Sequence, residues 1–111
     1  MNKIFLTIAL IVVLMPTQAS ASINTGTVSG ITVAGNWFYL TVTGATSYAP
    51  CATPARYSVT LLDPIGRAMY AMALSAKMTN TPIYVGGSGG CGALPNTDPA
   101  SETVNVFNVG G

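Results

Sequence analysis

The sequence predicts a small, mainly β domain with one helix, in the order β-β-β-α-β-β. Three observations carry this. Period-two patterns occupy Val28–Thr43, Arg56–Leu62, the short stretch around Ile83 and Val85, and Glu102–Val109. One stretch only, opening at Asp63-Pro64, has helical spacing. The two cysteines, Cys51 and Cys91, lie in the connections rather than in the patterned segments, where one disulfide would staple a modest core.

The chain opens MNKIFLTIALIVVLMPTQASA. Lys3 supplies a positive n-region, Ile4–Met15 is apolar apart from Thr7, Pro16 breaks the run, and Ala19-Ser20-Ala21 places small residues at the A-x-A positions. This is the pattern of a secretory signal peptide, residues 1–21, with cleavage after Ala21. The apolar run of about 12 residues is short of the roughly 20 that span a bilayer. No cysteine stands at the cleavage point to carry a lipid, so no stable membrane anchor is expected after cleavage. A single domain, 22–111, would remain: 90 residues, 111 less 21. Its localisation is then secreted or periplasmic, an oxidising setting in which Cys51 and Cys91 pair.

Charge excludes whole classes of partner. Beyond the leader there are Arg56, Arg67 and Lys77 against Asp63, Asp98 and Glu102. Such a chain has no basic groove for nucleic acid and no acidic patch for a cation. No histidine is present, and the acids are scattered, so no metal site and no cofactor are expected.

The first hairpin runs from Gly26 to Thr43. Val28 is out of phase with Ile31 and Val33, which places a bulge near Ser29-Gly30. Ala34-Gly35-Asn36 supplies the turn. On the return strand Phe38, Leu40 and Val42 face the core, and Trp37, Tyr39, Thr41 and Thr43 face away. The third strand, Arg56–Leu62, presents Tyr57, Val59 and Leu61 together. Asp63 is a favoured N-cap and Pro64 suits the first helical position. Ile65, Ala68, Met69, Met72, Ala73 and Ala76 form the expected buried stripe, and Asn80 followed by Pro82 ends the helix. The other face carries Ala71, Leu74 and Met78 beside Arg67 and Lys77. Either it contacts another subunit, or the lysine stem and a loop cover a few methyl groups. Ile83 and Val85 mark the fourth strand, and a loop from Gly86 to Ser101 follows. Glu102–Val109 is the fifth, with Val104 and Val106 on one face and Phe107 and Val109 on the other. In a domain of this size the element order matches the OB-fold, a small, partly open barrel with its helix between the third and fourth strands.

Gly86-Gly87-Ser88-Gly89-Gly90 raises the question of a phosphate-binding loop. Such loops lead into a helix and often carry a lysine. Here prolines follow, and no basic residue is present. The expected role is instead a pliable approach that brings Cys91 to Cys51.

Catalysis has little to stand on. Without histidine no Ser-His-Asp or Cys-His system is available. Asp63 serves as a cap, while Asp98 and Glu102, on either side of Pro99 and its neighbours, read as solvated loop charges. The chain is not expected to be an enzyme, and no catalytic residue is assigned. Trp37 and Tyr39, side by side on one strand face, suit stacking on a sugar ring or packing on a protein. The alternative is burial under a loop or a neighbouring strand. Tyr48 and Tyr84 are further candidates for that surface.

A signal peptide, one OB-like domain and a stapling disulfide resemble the binding subunits of bacterial AB-type toxins, in particular the subtilase cytotoxin and pertussis-like group. Ala76-Lys77 through Pro82-Ile83-Tyr84-Val85, and Gly87 to Cys91, are also similar to short secreted bacterial proteins with a helix ending in Ala-Lys, a strand and a glycine-flanked cysteine. The resemblance is one of organisation. No sugar-contacting serine of those subunits maps onto a position here. It implies a ring-forming glycan binder, a pentamer with helices near the ring axis, which suits the apolar face of Ala71, Leu74 and Met78. The functional expectation is a secreted, non-catalytic binding module recognising a glycan or a host surface protein. The alternative is a small periplasmic structural, interaction or inhibitor protein without a glycan site.

Overall fold

The computed structural model describes residues 21–110. The expected signal peptide lies outside the described residues except for Ala21. Seven elements follow: β1 (Ile23–Gly26), β2 (Val28–Ala34), β3 (Trp37–Val42), β4 (Tyr57–Thr60), α1 (Pro64–Thr79), β5 (Ile83–Cys91) and β6 (Glu102–Val109). The strands form one sheet in the order β1-β5-β6-β4-β3-β2. All neighbours are antiparallel except β4 and β6.

The two edge strands are consecutive in sequence, with Thr27 alone between them. The sheet must therefore curl until its edges approach at that residue. The Thr43 amide donates to the Thr27 carbonyl at 2.8 Å and ties the bend to the end of β3. The result is a curled half-barrel of mainly β structure with one helix, as the sequence predicts at that level. β1 is the added element. Its pattern is inverted, since Ile23 is exposed and Asn24 is buried, so hydrophobic alternation gives no sign of it.

Phe38, Leu40 and Val42 enter the core as expected, joined by Tyr57, Val59, Ile83, Val85 and Val104 and by Ala73 and Ala76 of the helix. The register slips between Val28 and Gly30, at the expected bulge. The β2–β3 turn uses Gly35 at φ 61°.

α1 is capped at both ends. The Gly66 amide donates to the Asp63 carboxylate at 2.6 Å, and Asn80 adopts the left-handed conformation, with the Thr81 amide donating to the Ala76 carbonyl at 2.9 Å. The buried strip differs from the expected stripe. Gly66, Ala73 and Ala76 are buried and Met69 is partly so, but Ile65, Ala68 and Met72 are exposed. Small residues set this rotation. A Cβ at Gly66 would lie 1.8 Å from the Thr60 carbonyl oxygen, so the bare glycine backbone faces β4 and the large side chains turn outward.

Two further expectations change in β5 and β6. The glycines do not leave the sheet: β5 continues through them to Cys91, with register shifts at Gly86/Gly87 and between Gly87 and Cys91. Opposite them, Gly86 pairs with Val106 and Gly87 with Val104, so Asn105 is bulged. A bulge switches the inward phase. Val104 therefore lies in the core while Val106 is exposed, and Phe107 and Val109 pack on the core side with Val104.

Candidate functional site

Glu102 is fully buried. Its expected place in a solvated loop is overturned. The side chain enters the space beneath β5, where a Cβ at Gly87 would sit 1.8 Å from Oε2 and 2.9 Å from Ser22 Oγ. Four donors converge on the carboxylate. Ser22 Oγ and the Ala49 amide reach Oε1, each at 2.6 Å. The Gly89 amide, at 3.1 Å, and the Ser22 nitrogen, at 3.3 Å, reach Oε2. Gly89 has φ 82°, the left-handed region that glycine enters without strain, and this aims its amide inward. The glycine stretch thus cradles an anion after all, but the anion is the chain's own carboxylate.

The network extends outward. The Tyr57 hydroxyl lies 2.9 Å from Ser22 Oγ and accepts from Asn24 Nδ2 at 2.6 Å. Since Ser22 Oγ donates to Glu102, the Tyr57 hydroxyl donates to Ser22. Asn24 also donates to the Ser47 carbonyl and accepts from the Thr46 and Ser47 amides at 3.2 and 3.3 Å. The 44–55 connection is thereby fixed to β1 and β6. Tyr48 packs on Tyr57 with ring centroids 4.9 Å apart. Burial raises both phenols above their ordinary range, which keeps them neutral donors.

A second cluster surrounds Asp98, which is also buried rather than solvated. It accepts from Ser101 Oγ at 2.7 Å, the Ala100 amide at 3.1 Å and Arg56 at 3.3 Å. Burial pulls its carboxyl upward, but those bonds and the Tyr39 hydroxyl outweigh it and hold the group below the usual carboxylate range. Arg56 also donates to Ser101 Oγ at 3.0 Å and lies 3.6 Å over the centre of the Tyr39 ring.

Trp37 and Tyr39 point out of β3, opposite Phe38 and Leu40, and both are half-buried. The Trp37 indole nitrogen is buried and has no hydrogen-bond partner among the described residues. A separate cleft of about 40 Å³ is lined by Thr60, Gly66, Met69, Leu94, Thr97 and Val104 among others, and by neither Trp37 nor Tyr39. Ala71, Leu74 and Met78 are exposed on α1, Met78 at 86%. Cys51 and Cys91 are joined, with Cα atoms 6.1 Å apart. They link the 44–55 connection to the end of β5.

Sequence reasoning missed Ser22, Asn24, Gly87, Gly89 and Glu102 as one unit. The available sign was Glu102 itself, an acid at the head of a strand in a chain with three acids in all. Among the described residues no group of three potential metal ligands occurs. No protein-family model, curated protein or solved structure matches this chain.

Proposed function

We propose that the chain is an exported, non-catalytic binding module of OB-fold type, and that the outer face of β3 contacts a glycan or a host surface protein. Topology supports the fold identity. Treated as one strand bent at Thr27, β1 and β2 reduce the sheet to five strands, with the parallel pair and the helix placed as in an OB barrel. Such barrels bind oligosaccharides and oligonucleotides across their second and third strands and the flanking loops. The corresponding strands here are β3 and β4.

The observation that carries the reading is the pair Trp37 and Tyr39. They project from the binding strand of that architecture while their neighbours fill the core, and Arg56 holds the Tyr39 ring in place. Three basic residues beyond the expected leader, with Arg56 already paired to Asp98, favour a neutral ligand over a nucleic acid. A cleft of about 40 Å³ is far below the several hundred Å³ of an enclosing ligand pocket, so contact is made on the open face. The absence of histidine from the sequence favours binding over turnover.

The test is a glycan array with wild type and Trp37→Ala. Repeatable binding that the variant loses, with an unchanged melting temperature, supports the reading. Binding that survives Trp37→Ala overturns the assigned face. In a toxin-like pentamer, Ala71, Leu74 and Met78 would line the subunit contacts and repeated weak sites would gain avidity. The second reading, a periplasmic interaction or inhibitor protein, is favoured by the exposed Ile65, Met72, Leu74 and Met78 on α1. Native mass spectrometry separates the two: a five-subunit ring supports the first, and a monomer the second.

A further inference from the structure

We propose that cleavage after Ala21 completes the Glu102 site, by converting the Ser22 nitrogen into an ammonium ion that pairs with the buried carboxylate. Three observations meet at this point. Glu102 is fully buried, and among the described residues the single ion pair is Arg56–Asp98, so no lysine or arginine reaches it. The Ser22 nitrogen already lies 3.3 Å from Oε2, and Ser22 Oγ lies 2.6 Å from Oε1. The bond that precedes this nitrogen is the one at which the A-x-A pattern ends.

A buried carboxylate held only by neutral donors is costly, and a cation at hydrogen-bond distance offsets much of that cost. Ser22 is positioned for the task. It is 1% exposed while Ala21 is exposed, so the chain leaves the domain immediately beside the carboxylate. The Gly87 amide donates to the Ser22 carbonyl at 2.8 Å and holds the residue in place. Cleavage by a leader peptidase of the export machinery needs only water. The Ala21–Ser22 C–N bond breaks, the hydroxyl adds to the Ala21 carbonyl carbon, and the nitrogen takes both protons released. An Ala21 carboxylate and a Ser22 ammonium result. Because Ser22 is enclosed in the folded domain, cleavage precedes folding, and the mature terminus is built into the core network as it forms.

The inference rests on export with cleavage after Ala21 and is independent of the β3 binding face. The test uses the full chain, exported and processed, beside a variant with two glycines inserted after Ala21. Cleavage at the same alanine then leaves a Gly-Gly extension and moves the ammonium by up to about 7 Å. Intact mass identifies both termini. Wild type is expected to melt about 5–10 °C above the extended form near pH 7. In a Glu102→Gln background that difference should largely vanish. The pH dependence separates charge from steric disturbance. A paired α-ammonium titrates above its free value of about 8, so its stabilisation is complete below that pH and is lost as pH rises through the folded value. The other titratable groups facing the site are Tyr57 and, behind it, Tyr48, both raised by burial. The advantage of wild type should therefore shrink as pH rises above about 8. This readout stands even if Glu102→Gln fails to fold. A mature protein that begins elsewhere than Ser22 overturns both this inference and the assigned cleavage site. A terminus at Ser22 with equal melting temperatures, or with a difference that pH does not change, overturns this inference alone.

Discussion

The carboxylate of Glu102 occupies the volume that a side chain at Gly87 would need: a Cβ there would sit 1.8 Å from Oε2. The two residues lie on neighbouring strands, and each explains the other. Glycine at 87 is the condition for burying an acid at 102, and the acid in turn collects amides from the 44–55 connection and from β5.

Gly87→Ala is therefore expected to destabilise the domain by about 3 kcal/mol or more, since it must displace a buried, hydrogen-bonded carboxylate. Gly86→Ala is the control. Its Cβ would meet Val106 Cβ at 3.4 Å, an ordinary contact, and neither glycine has positive φ. The control should change stability by less than about 1 kcal/mol. Urea denaturation of both variants checks the contrast. Equal effects would mean that Glu102 does not depend on the gap at Gly87.

Asp98 predicts a specific acid sensitivity. Burial acts to raise its carboxyl, but bonds from Ser101, Ala100, Arg56 and Tyr39 prevail and depress it. A depressed carboxylate contributes stability above its unfolded value of about 4, and the contribution is lost as pH falls through the lower folded value. Melting temperature measured from pH 6 down to pH 2 should fall more steeply below about pH 4 in wild type than in Asp98→Asn. The variant should already be weaker at pH 6, by about 1–2 kcal/mol. Parallel pH profiles would show that Asp98 does not carry the acid response.

How much could be read in advance followed from how local each cause is. The Asp63 cap, the Asn80 stop, the Gly35 turn and the bulge at Ser29-Gly30 depend on neighbouring residues, and all are present. The inward set of β3 depends on alternation and is also present. Long-range causes were not legible. β1 has one apolar residue and turns it outward, because what it buries is Asn24, satisfied by Thr46, Ser47 and Tyr57. The α1 stripe was misplaced because hydrophobic periodicity weighs Ile65 and Met72 over Gly66, whereas close approach to Thr60 favours the smallest residue. Asp98 and Glu102 read as solvated because charge usually is. Their donors come from Ser22, Ala49, Arg56 and Gly89, up to 80 positions away.

The Cys51–Cys91 bond should stabilise the domain through the connections it joins rather than through the core. It closes a sequence separation of 40 residues, for which the chain-entropy model gives about 3–4 kcal/mol. One end is the segment whose Ala49 amide bonds Glu102, and the other follows Gly89, whose amide bonds the same carboxylate. Loss of the bridge should therefore loosen two of the four donors at once. Cys51→Ala/Cys91→Ala is expected to lower stability by about 2–4 kcal/mol in urea denaturation. In hydrogen exchange, the Ala49 and Gly89 amides should lose protection before the core amides of Phe38 and Leu40 do. Uniform loss of protection across β3 and β5 would show instead that the bridge acts on the unfolded chain alone.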